Sequence, residues 1–245
     1  MYLQVLASGS RANLYILTNG KEALILEAGL PLMEVKKALG FDISKITGLL
    51  LSHIHGDHSK YVKQYLNAGI TVLSGKETLE ALDVLNNINA KTVVPEKGYR
   101  LGNFRIIPFP ANHDVTCLAF YISHPESGNI LFATDTYYLD YTFPGLNHIL
   151  IEANYSDHIL EENIFSGKVH SSMRPRLLQT HMELSTVLTT LKANDLSEVI
   201  NIVLIHLSDG NSNELKFITE VVQSTGRQVY AAKKGLVIKF NKTPY

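Results

Sequence analysis

Short apolar runs separated by turn-forming residues occupy the start of the chain. They cover residues 3–6, 13–17 and 23–26, and the turn sequences SGS and NGK lie between them. Runs of this length next to glycine-containing turns are typical of strands. We therefore predict a meander of three strands.

Helix and strand patterns alternate from there to residue 86. Helical periodicity covers residues 31–39, 59–67 and 76–86, and the first of these helices begins at Pro31 and is followed by Gly40, where a helix tolerates each residue. Apolar runs at residues 48–52 and 71–73 are typical of buried strands. This alternation favours parallel strands connected by helices.

A second series of strands and helices follows residue 100. We predict strands at residues 104–108, 118–123, 130–133, 148–152 and 200–205, helices at 183–192 and 214–223, and β structure at 228–240. The two β-then-α halves, about residues 1–143 and 144–245, favour two sheets packed face to face with helices outside. No long polar linker separates the halves, so we predict a single α/β domain over residues 1–245.

Composition narrows the function classes. The chain has 22 Lys and Arg against 23 Asp and Glu, a net charge of −1, so no global basic field exists to hold nucleic acid, which must be bound locally. The single cysteine, Cys117, excludes an internal disulfide framework and a Cys-rich zinc module. A reducing, cytoplasmic location is therefore expected. Neither a signal pattern nor an apolar run near 20 residues is present, so we expect no contact with a membrane.

The most informative stretch is the sequence HIHGDH at residues 53–58, directly after a predicted buried strand. It places three imidazoles and a carboxylate within six residues, and these are the ligands that zinc, manganese and iron use. His53 and His55 can reach one ion, while Asp57 and His58 can reach another. The pattern HxHxDH therefore indicates a metal site with two ions.

Further ligands should follow other strands, because one loop cannot supply all the contacts of a dinuclear site. His113, Asp135 and His206 each come just after a predicted apolar strand. The carboxylate of Asp135 is suited to bridging two cations. The predicted ligands are therefore His53, His55 and His113 for one metal, Asp57, His58 and His206 for the other, and Asp135 between them.

This order of motifs resembles the metallo-β-lactamase superfamily. The sequences VLASGS at 5–10, TDT at 134–136, EAN at 152–154, THM at 180–182 and HLS at 206–208 with Asn211 resemble its YycJ/WalJ exonuclease subgroup, over essentially the whole chain. The resemblance implies a four-layer αββα sandwich with a dinuclear metal site between the sheets. It also implies a metal-dependent hydrolase that uses two divalent ions, Zn²⁺ or Mn²⁺, to cleave phosphodiester bonds.

The active-site residues are similar to those of tRNase Z and the anti-Pycsar phosphodiesterases. By this resemblance Glu152 and His181 are expected to protonate the leaving group, and phosphodiester cleavage does need a proton source for the departing oxygen. Asp57 is expected to position or deprotonate the attacking water. One departure is Glu27, where the superfamily commonly has aspartate; its extra methylene implies a different loop geometry or metal affinity.

Arg174, Arg176 and His170 precede His181 closely and are candidates for binding substrate, because arginine forks onto phosphate oxygens. The alternative is a solvated loop without a specific ligand.

Several substrates suit this machinery. The YycJ resemblance favours an exonuclease with a DNA or RNA substrate. The near-neutral charge fits a cyclic-nucleotide phosphodiesterase of the anti-Pycsar kind, which acts in phage counter-defence, and related proteins hydrolyse lactones or thioesters. The alternative that is not an enzyme is a metal-stabilised binding or regulatory protein. The metal, a homodimeric assembly and a host or phage role are left open by the sequence.

Overall fold

Two mixed sheets, each of seven strands, are described in a computed structural model that covers residues 1–243. The first sheet has the order β14-β1-β2-β3-β4-β5-β6 and the second the order β13-β12-β11-β10-β9-β8-β7. The strands and helices of the first part of the chain are β1 (Tyr2–Ala7), β2 (Leu14–Thr18), β3 (Ala23–Leu26), α1 (Leu32–Ala38), β4 (Ile46–Leu50), α2 (Gly56–Ser59), α3 (Val62–Asn67), β5 (Val72–Ser74), α4 (Lys76–Ala81) and β6 (Ala90–Thr92).

The second part begins with four antiparallel strands and continues with parallel strands and helices. These elements are β7 (Tyr99–Leu101), β8 (Phe104–Ala111), β9 (Cys117–His124), β10 (Gly128–Ala133), β11 (Leu146–Glu152), α5 (Asp157–Phe165), α6 (Met173–Thr180), α7 (Leu184–Ala193), β12 (Asn201–Ile205), α8 (Glu214–Thr225), β13 (Gln228–Ala231) and β14 (Val237–Lys239). None of the helices in the described part of the chain is long and apolar enough to cross a membrane.

The core lies between the two sheets. Side chains of the first sheet such as Tyr15 and Leu50 pack there with Phe120 and Phe132 of the second, and all four are completely buried. The outer face of the first sheet is covered by α1 and α3, and that of the second by α7 and α8. Because both faces of each sheet are buried, the strands read as continuous apolar runs rather than as alternating patterns. The predicted four-layer αββα arrangement is confirmed.

The boundary between the sheets lies elsewhere than the boundary predicted between the halves. Strands β7 to β10 precede residue 143 but belong to the second sheet together with β11 to β13. Strand β14, near the end of the chain, pairs with β1 in the first sheet. A local apolar pattern identifies a strand but not the strand that pairs with it, so the sequence pattern does not predict which sheet a strand joins.

Candidate metal centre

Parallel strands bring the candidate residues to one edge of the sandwich. In the first sheet β1, β3 and β4 run in the same direction, and in the second β8, β10, β11 and β12 do. The carboxyl ends of strands that run in one direction meet at one edge. The loop of residues 53–58 leaves the first sheet there, and His113, Asp135 and His206 leave the second.

The first cluster contains His53, His55, His113 and Asp135, with one possible ligand atom from each within 4.8 Å of the others. Asp135 Oδ2 lies 3.6 Å from His53 Nε2 and 3.9 Å from His113 Nε2. His55 Nδ1 is 3.1 Å from His113 Nε2. Three imidazole nitrogens and one carboxylate oxygen thus converge as a four-ligand metal site requires.

The second cluster contains Asp57, His58, His206 and again Asp135. Asp57 Oδ2 lies 3.2 Å from His58 Nε2 and 3.1 Å from His206 Nε2. Asp135 Oδ1 lies 3.3 Å from His58 Nε2 and 3.6 Å from His206 Nε2. The two oxygens of Asp135 therefore face different clusters, which is the geometry of a bridging carboxylate.

Hydrogen bonds on the far side of the rings orient two of these histidines. His113 Nδ1 donates to the carbonyl oxygen of Thr180 at 2.8 Å, which leaves Nε2 without a proton and free to bind a cation. His53 Nδ1 lies 2.8 Å from Ser52 Oγ, while its buried Nε2 has no hydrogen-bond partner among the described residues. A buried imidazole nitrogen without a partner is costly, and a metal ion in the cluster would satisfy it. The residues therefore fit two divalent cations.

The backbone at these strand ends is unusual. Glu27, Asp135 and His206 have positive φ angles of 70°, 44° and 53°, a region that non-glycine residues adopt rarely and at an energetic cost. Each lies directly beyond the last residue of β3, β10 and β12 respectively, or one residue later. The sharp turn directs these side chains back over the sheet edge toward the clusters.

Carboxylates and imidazoles in the clusters shift each other's proton affinity. Burial raises the pKa of Asp135, but the imidazoles of His206 and His58 outweigh it and hold that pKa well below its usual range. Burial lowers the pKa of His206, but Asp135, Asp57 and Glu152 outweigh it and raise that pKa to about 10. Burial dominates at His53, whose pKa lies well below its usual value. A bound cation would displace the proton that the carboxylates favour on His206, because the cation supplies the same positive charge.

Next to the second cluster lies the pair formed by Glu152 and His181. Glu152 is completely buried, and its Oε1 accepts a hydrogen bond of 2.6 Å from His181 Nδ1 and lies 3.2 Å from His206 Nδ1. Its Oε2 accepts from the backbone N–H groups of Thr136 and Met182, at 3.0 and 3.2 Å. Burial lowers the pKa of His181, but Glu152 outweighs it and raises that pKa above its ordinary value. The carboxylate is thus fixed in place and favours the protonated form of the His181 imidazole.

The clusters open onto a cavity of about 310 Å³. Its walls contain His55, Asp57, His113, Asp135, His181 and His206, together with Ser10, Gly56, Asp114, Arg176 and Thr180. A ligand in this cavity would meet residues of both metal clusters, His181 and the guanidinium of Arg176.

Comparison with known proteins agrees with this geometry. The family model described as the metallo-β-lactamase superfamily matches residues 8–74, which include the loop of residues 53–58. Exodeoxyribonuclease YycJ of Bacillus anthracis is 25% identical over an alignment that covers 92% of this chain and 90% of that protein. This chain is similar to the metallo-β-lactamase superfamily.

Solved structures share the fold. The metallo-β-lactamase fold protein YhfI from Bacillus subtilis superposes with a TM-score of 0.74 at 18% identity and covers 97% of this chain and 98% of its own. The short form of human tRNase Z has a TM-score of 0.65 at 15% identity and covers 98% and 99%. The match to the superfamily model and the His/Asp clusters together indicate a metal-dependent hydrolase.

Glu27, the departure from the pattern of the superfamily, still reaches the metal loop. It is completely buried, its Oε2 lies 3.5 Å from His58 Nδ1, and Ser52 N donates to it at 3.4 Å. Burial raises its pKa despite the contact with His58. A carboxylate behind a metal-binding imidazole orients the ring, and the longer side chain of glutamate makes that contact here.

Asn13 and Ser8 contact the centre of this metallo-β-lactamase fold, although the sequence analysis gave them no role. Asn13 Nδ2 donates to Asp57 Oδ2 at 3.1 Å, and its Oδ1 accepts from Gly9 N at 2.9 Å. Ser8 Oγ accepts from His206 N at 2.9 Å and from the hydroxyl of Tyr15 at 2.8 Å. The loop of residues 8–13 thus supports one ligand from each sheet. Apart from the resemblance of residues 5–10, its sequence signal is a turn composition, which many loops share.

The three candidate substrate residues have different surroundings. Arg176 lines the cavity of the metal clusters. Arg174 donates to Glu161 Oε1 at 2.8 Å and lies 3.5 Å from Asp157 Oδ1, so its guanidinium forms ion pairs within the protein. His170 is exposed, and its Nδ1 lies 2.8 Å from Ser172 Oγ. Arg174 and Arg176 lie on α6 and not in the solvated loop that was the alternative.

Proposed function

We propose that this protein is a phosphodiesterase that uses two divalent metal ions to cleave nucleic acid. More specifically, we propose that it is an exodeoxyribonuclease. The observation that carries the proposal is the Glu152–His181 pair, because a buried carboxylate hydrogen-bonds an imidazole at the rim of the metal cavity and favours its protonated form. Cleavage of an unactivated phosphodiester needs such an acid to protonate the departing alkoxide. The 25% identity to exodeoxyribonuclease YycJ over 92% of the chain supports DNA as the substrate.

The metal ligands in this proposal are His53, His55 and His113 for one ion, Asp57, His58 and His206 for the other, and Asp135 for both. When bound, two such ions supply Lewis-acid activation of water and of the phosphoryl group. Imidazole and carboxylate donors suit Zn²⁺ and Mn²⁺, and we propose these two metals as the native candidates.

The protein's own groups would divide the remaining work. Asp57 Oδ2 accepts a hydrogen bond of 3.1 Å from Asn13 Nδ2. This carboxylate would orient or deprotonate the attacking water. Burial raises the pKa of Asp57, but hydrogen bonds from His206 and His58 outweigh it and keep that pKa well below its usual range, so the carboxylate stays ionised. Arg176 faces the same cavity and would bind a non-bridging phosphate oxygen. His181 would then give its proton to the leaving oxygen.

Product analysis tests the proposal. Protein of measured metal content, supplied with Mn²⁺ or Zn²⁺, is offered end-labelled single- and double-stranded DNA and RNA beside a panel of cyclic mononucleotides. Mononucleotides released from the ends of DNA are the expected result. Linear nucleotides formed only from cyclic ones would make the protein a cyclic-nucleotide phosphodiesterase, and a metal-loaded protein that cuts neither panel would direct the search to lactones and thioesters.

The matched variants are His181→Ala and His158→Ala. His158 is an exposed histidine on α5 whose Nδ1 lies 3.7 Å from Glu162, so it repeats the side chain and its carboxylate partner away from the cavity. We expect His181→Ala to retain both metals and lose turnover, and His158→Ala to behave as wild type. Wild-type rates in His181→Ala on the true substrate would refute the proton-donor role.

A further inference from the structure

A second groove runs from the metal cavity along the ends of β1 and β13. It has a volume of about 510 Å³ and is lined by the loop of residues 8–12, by Asp209 and by residues 232–234, with Leu6 and Ala7 beneath. Ser10 lines both this groove and the metal cavity. The groove and the metal cavity therefore adjoin at Ser10.

The groove carries three exposed cations, Arg11, Lys233 and Lys234. Arg11 lies 3.7 Å from Asp209 with both side chains more than four-fifths exposed, and Lys233 lies 3.4 Å from Glu214. Exposed pairs of this kind contribute little, so phosphate can replace either carboxylate. Lys234 has no carboxylate within 4.0 Å in the described part of the chain.

Both walls are fixed relative to the metal centre. The loop of residues 8–12 is held by Ser8, which accepts from His206 N, and by the two hydrogen bonds between Asn13 and Gly9. The turn that carries Lys233 and Lys234 is held to β1, because Gly235 N donates to Val5 O and Val5 N donates to Leu236 O, both at 2.9 Å. The backbone that carries the three cations is therefore held next to the metal ligands, and the long side chains can reach successive phosphates of one strand.

We infer that this groove binds the phosphate backbone of a polynucleotide strand whose end lies at the metals. The inference rests on the proposed function and names its substrate class: a polymer of phosphodiesters, whose successive phosphates can reach both the metal cavity and the groove, rather than a cyclic mononucleotide, which has a single phosphate. A protein of net charge −1 must hold nucleic acid through local cations, and these three adjoin the cavity. An acidic peptide lacks the phosphodiester that the metal centre would cleave.

The test is a triple variant, Arg11→Gln with Lys233→Gln and Lys234→Gln, in the full chain. Binding of a fluorescent single-stranded DNA 20-mer is followed by anisotropy at several salt concentrations, and hydrolysis is followed on the 20-mer and on bis-p-nitrophenyl phosphate. Neutralising three phosphate contacts lowers the slope of log affinity against log salt by about 2, since each contact contributes roughly 0.7 on a single strand. We expect KM for the 20-mer to rise at least about tenfold, with the rate on bis-p-nitrophenyl phosphate unchanged.

The matched control neutralises three exposed lysines on α3, α4 and β6: Lys63→Gln, Lys76→Gln and Lys91→Gln. Strand β6 is the last strand of the first sheet, on the side away from β14 and β1. It removes the same charge from the protein but none from the groove, so we expect wild-type binding and salt dependence. Equal losses in both triple variants would reduce the effect to net charge and overturn the inference.

The binding and hydrolysis measurements separate the two proposals. A groove variant that binds the 20-mer with wild-type affinity and salt slope overturns the groove, whether or not the protein cuts DNA. A wild-type protein that binds DNA through the groove but hydrolyses no phosphodiester leaves the groove supported and refutes the proposed function. The rate on bis-p-nitrophenyl phosphate also verifies that the groove variant is folded and active.

Discussion

Replacing Glu152 by glutamine removes the negative charge next to His181 and keeps the shape of the side chain. Oε2 accepts two backbone N–H groups, so the amide oxygen must take that position and the amide nitrogen must face the ring of His181. A nitrogen that donates toward His181 Nδ1 disfavours a proton there. The substitution should therefore lower the pKa of His181.

The magnitude follows from the geometry of the pair. Glu152 is completely buried, the side chain of His181 is 18% exposed and the hydrogen bond is 2.6 Å long, so solvent screens the interaction little. A hydrogen bond between charged groups contributes about 1.5–3 kcal/mol, and 1.36 kcal/mol corresponds to one pH unit. His181 acts as an acid below its pKa, so activity falls as pH rises through that value. In Glu152→Gln the fall should begin about 1 to 2 pH units lower than in wild type.

The assay compares pH profiles of kcat on a DNA oligonucleotide and on bis-p-nitrophenyl phosphate, whose nitrophenolate departs without a proton. We expect the shift with DNA and little change with the activated ester. Metal content is measured in parallel, because Glu152 also lies 3.2 Å from His206 Nδ1. The control is Glu162→Gln, the same change at an exposed carboxylate beside His158. An unshifted profile, or equal losses on both substrates with full metal content, would refute the assignment of His181 as the acid.

Three further predictions concern the metals and the fold. Asp135→Asn should lower the metal content from two ions per chain to fewer than one by elemental analysis, because both of its oxygens face clusters; a stoichiometry of two would contradict the bridging role. Gly29→Ala would place a Cβ atom 2.0 Å from the carbonyl oxygen of Asp57 and should cost at least about 1–3 kcal/mol, seen as a lower Tm, whereas Gly98→Ala, with nothing within 4 Å, should melt as wild type does. Phe132→Ala should lower the free energy of unfolding by roughly 3–5 kcal/mol in denaturant titrations, because the ring is completely buried between the sheets; a loss below about 1 kcal/mol would show that the core refills the space.

The sequence was most informative where chemistry is dense and local. Three histidines and an aspartate within six residues identify a metal loop whatever the surrounding fold is, and the strand-end positions of His113, Asp135 and His206 follow from the apolar runs before them. The structure brings all seven residues into the two clusters.

Contacts made only on folding were outside the reach of the sequence. Asn13 in a glycine-containing turn has the composition of any loop, and its contact with Asp57 depends on how β1, β2 and β4 meet. Helix α6 went unrecognised because Pro175 breaks a helical pattern; it lies in the first turn, where its missing N–H is not needed. Helix α5 buries only Leu160 completely, so it shows little apolar periodicity.

The clusters take ligands from both sheets, and this has a consequence for folding. His206 and Asp57 are 149 positions apart in the chain, so the second cluster exists only after the sheets have docked, and such distant contacts form slowly. Metal capture should then be a late event that follows assembly of the core. A cation that binds only the assembled form slows its opening, so chelation should speed unfolding more than it alters refolding. Bound ions would hold the two sheets together, and the supply of metal would affect how long each molecule stays folded.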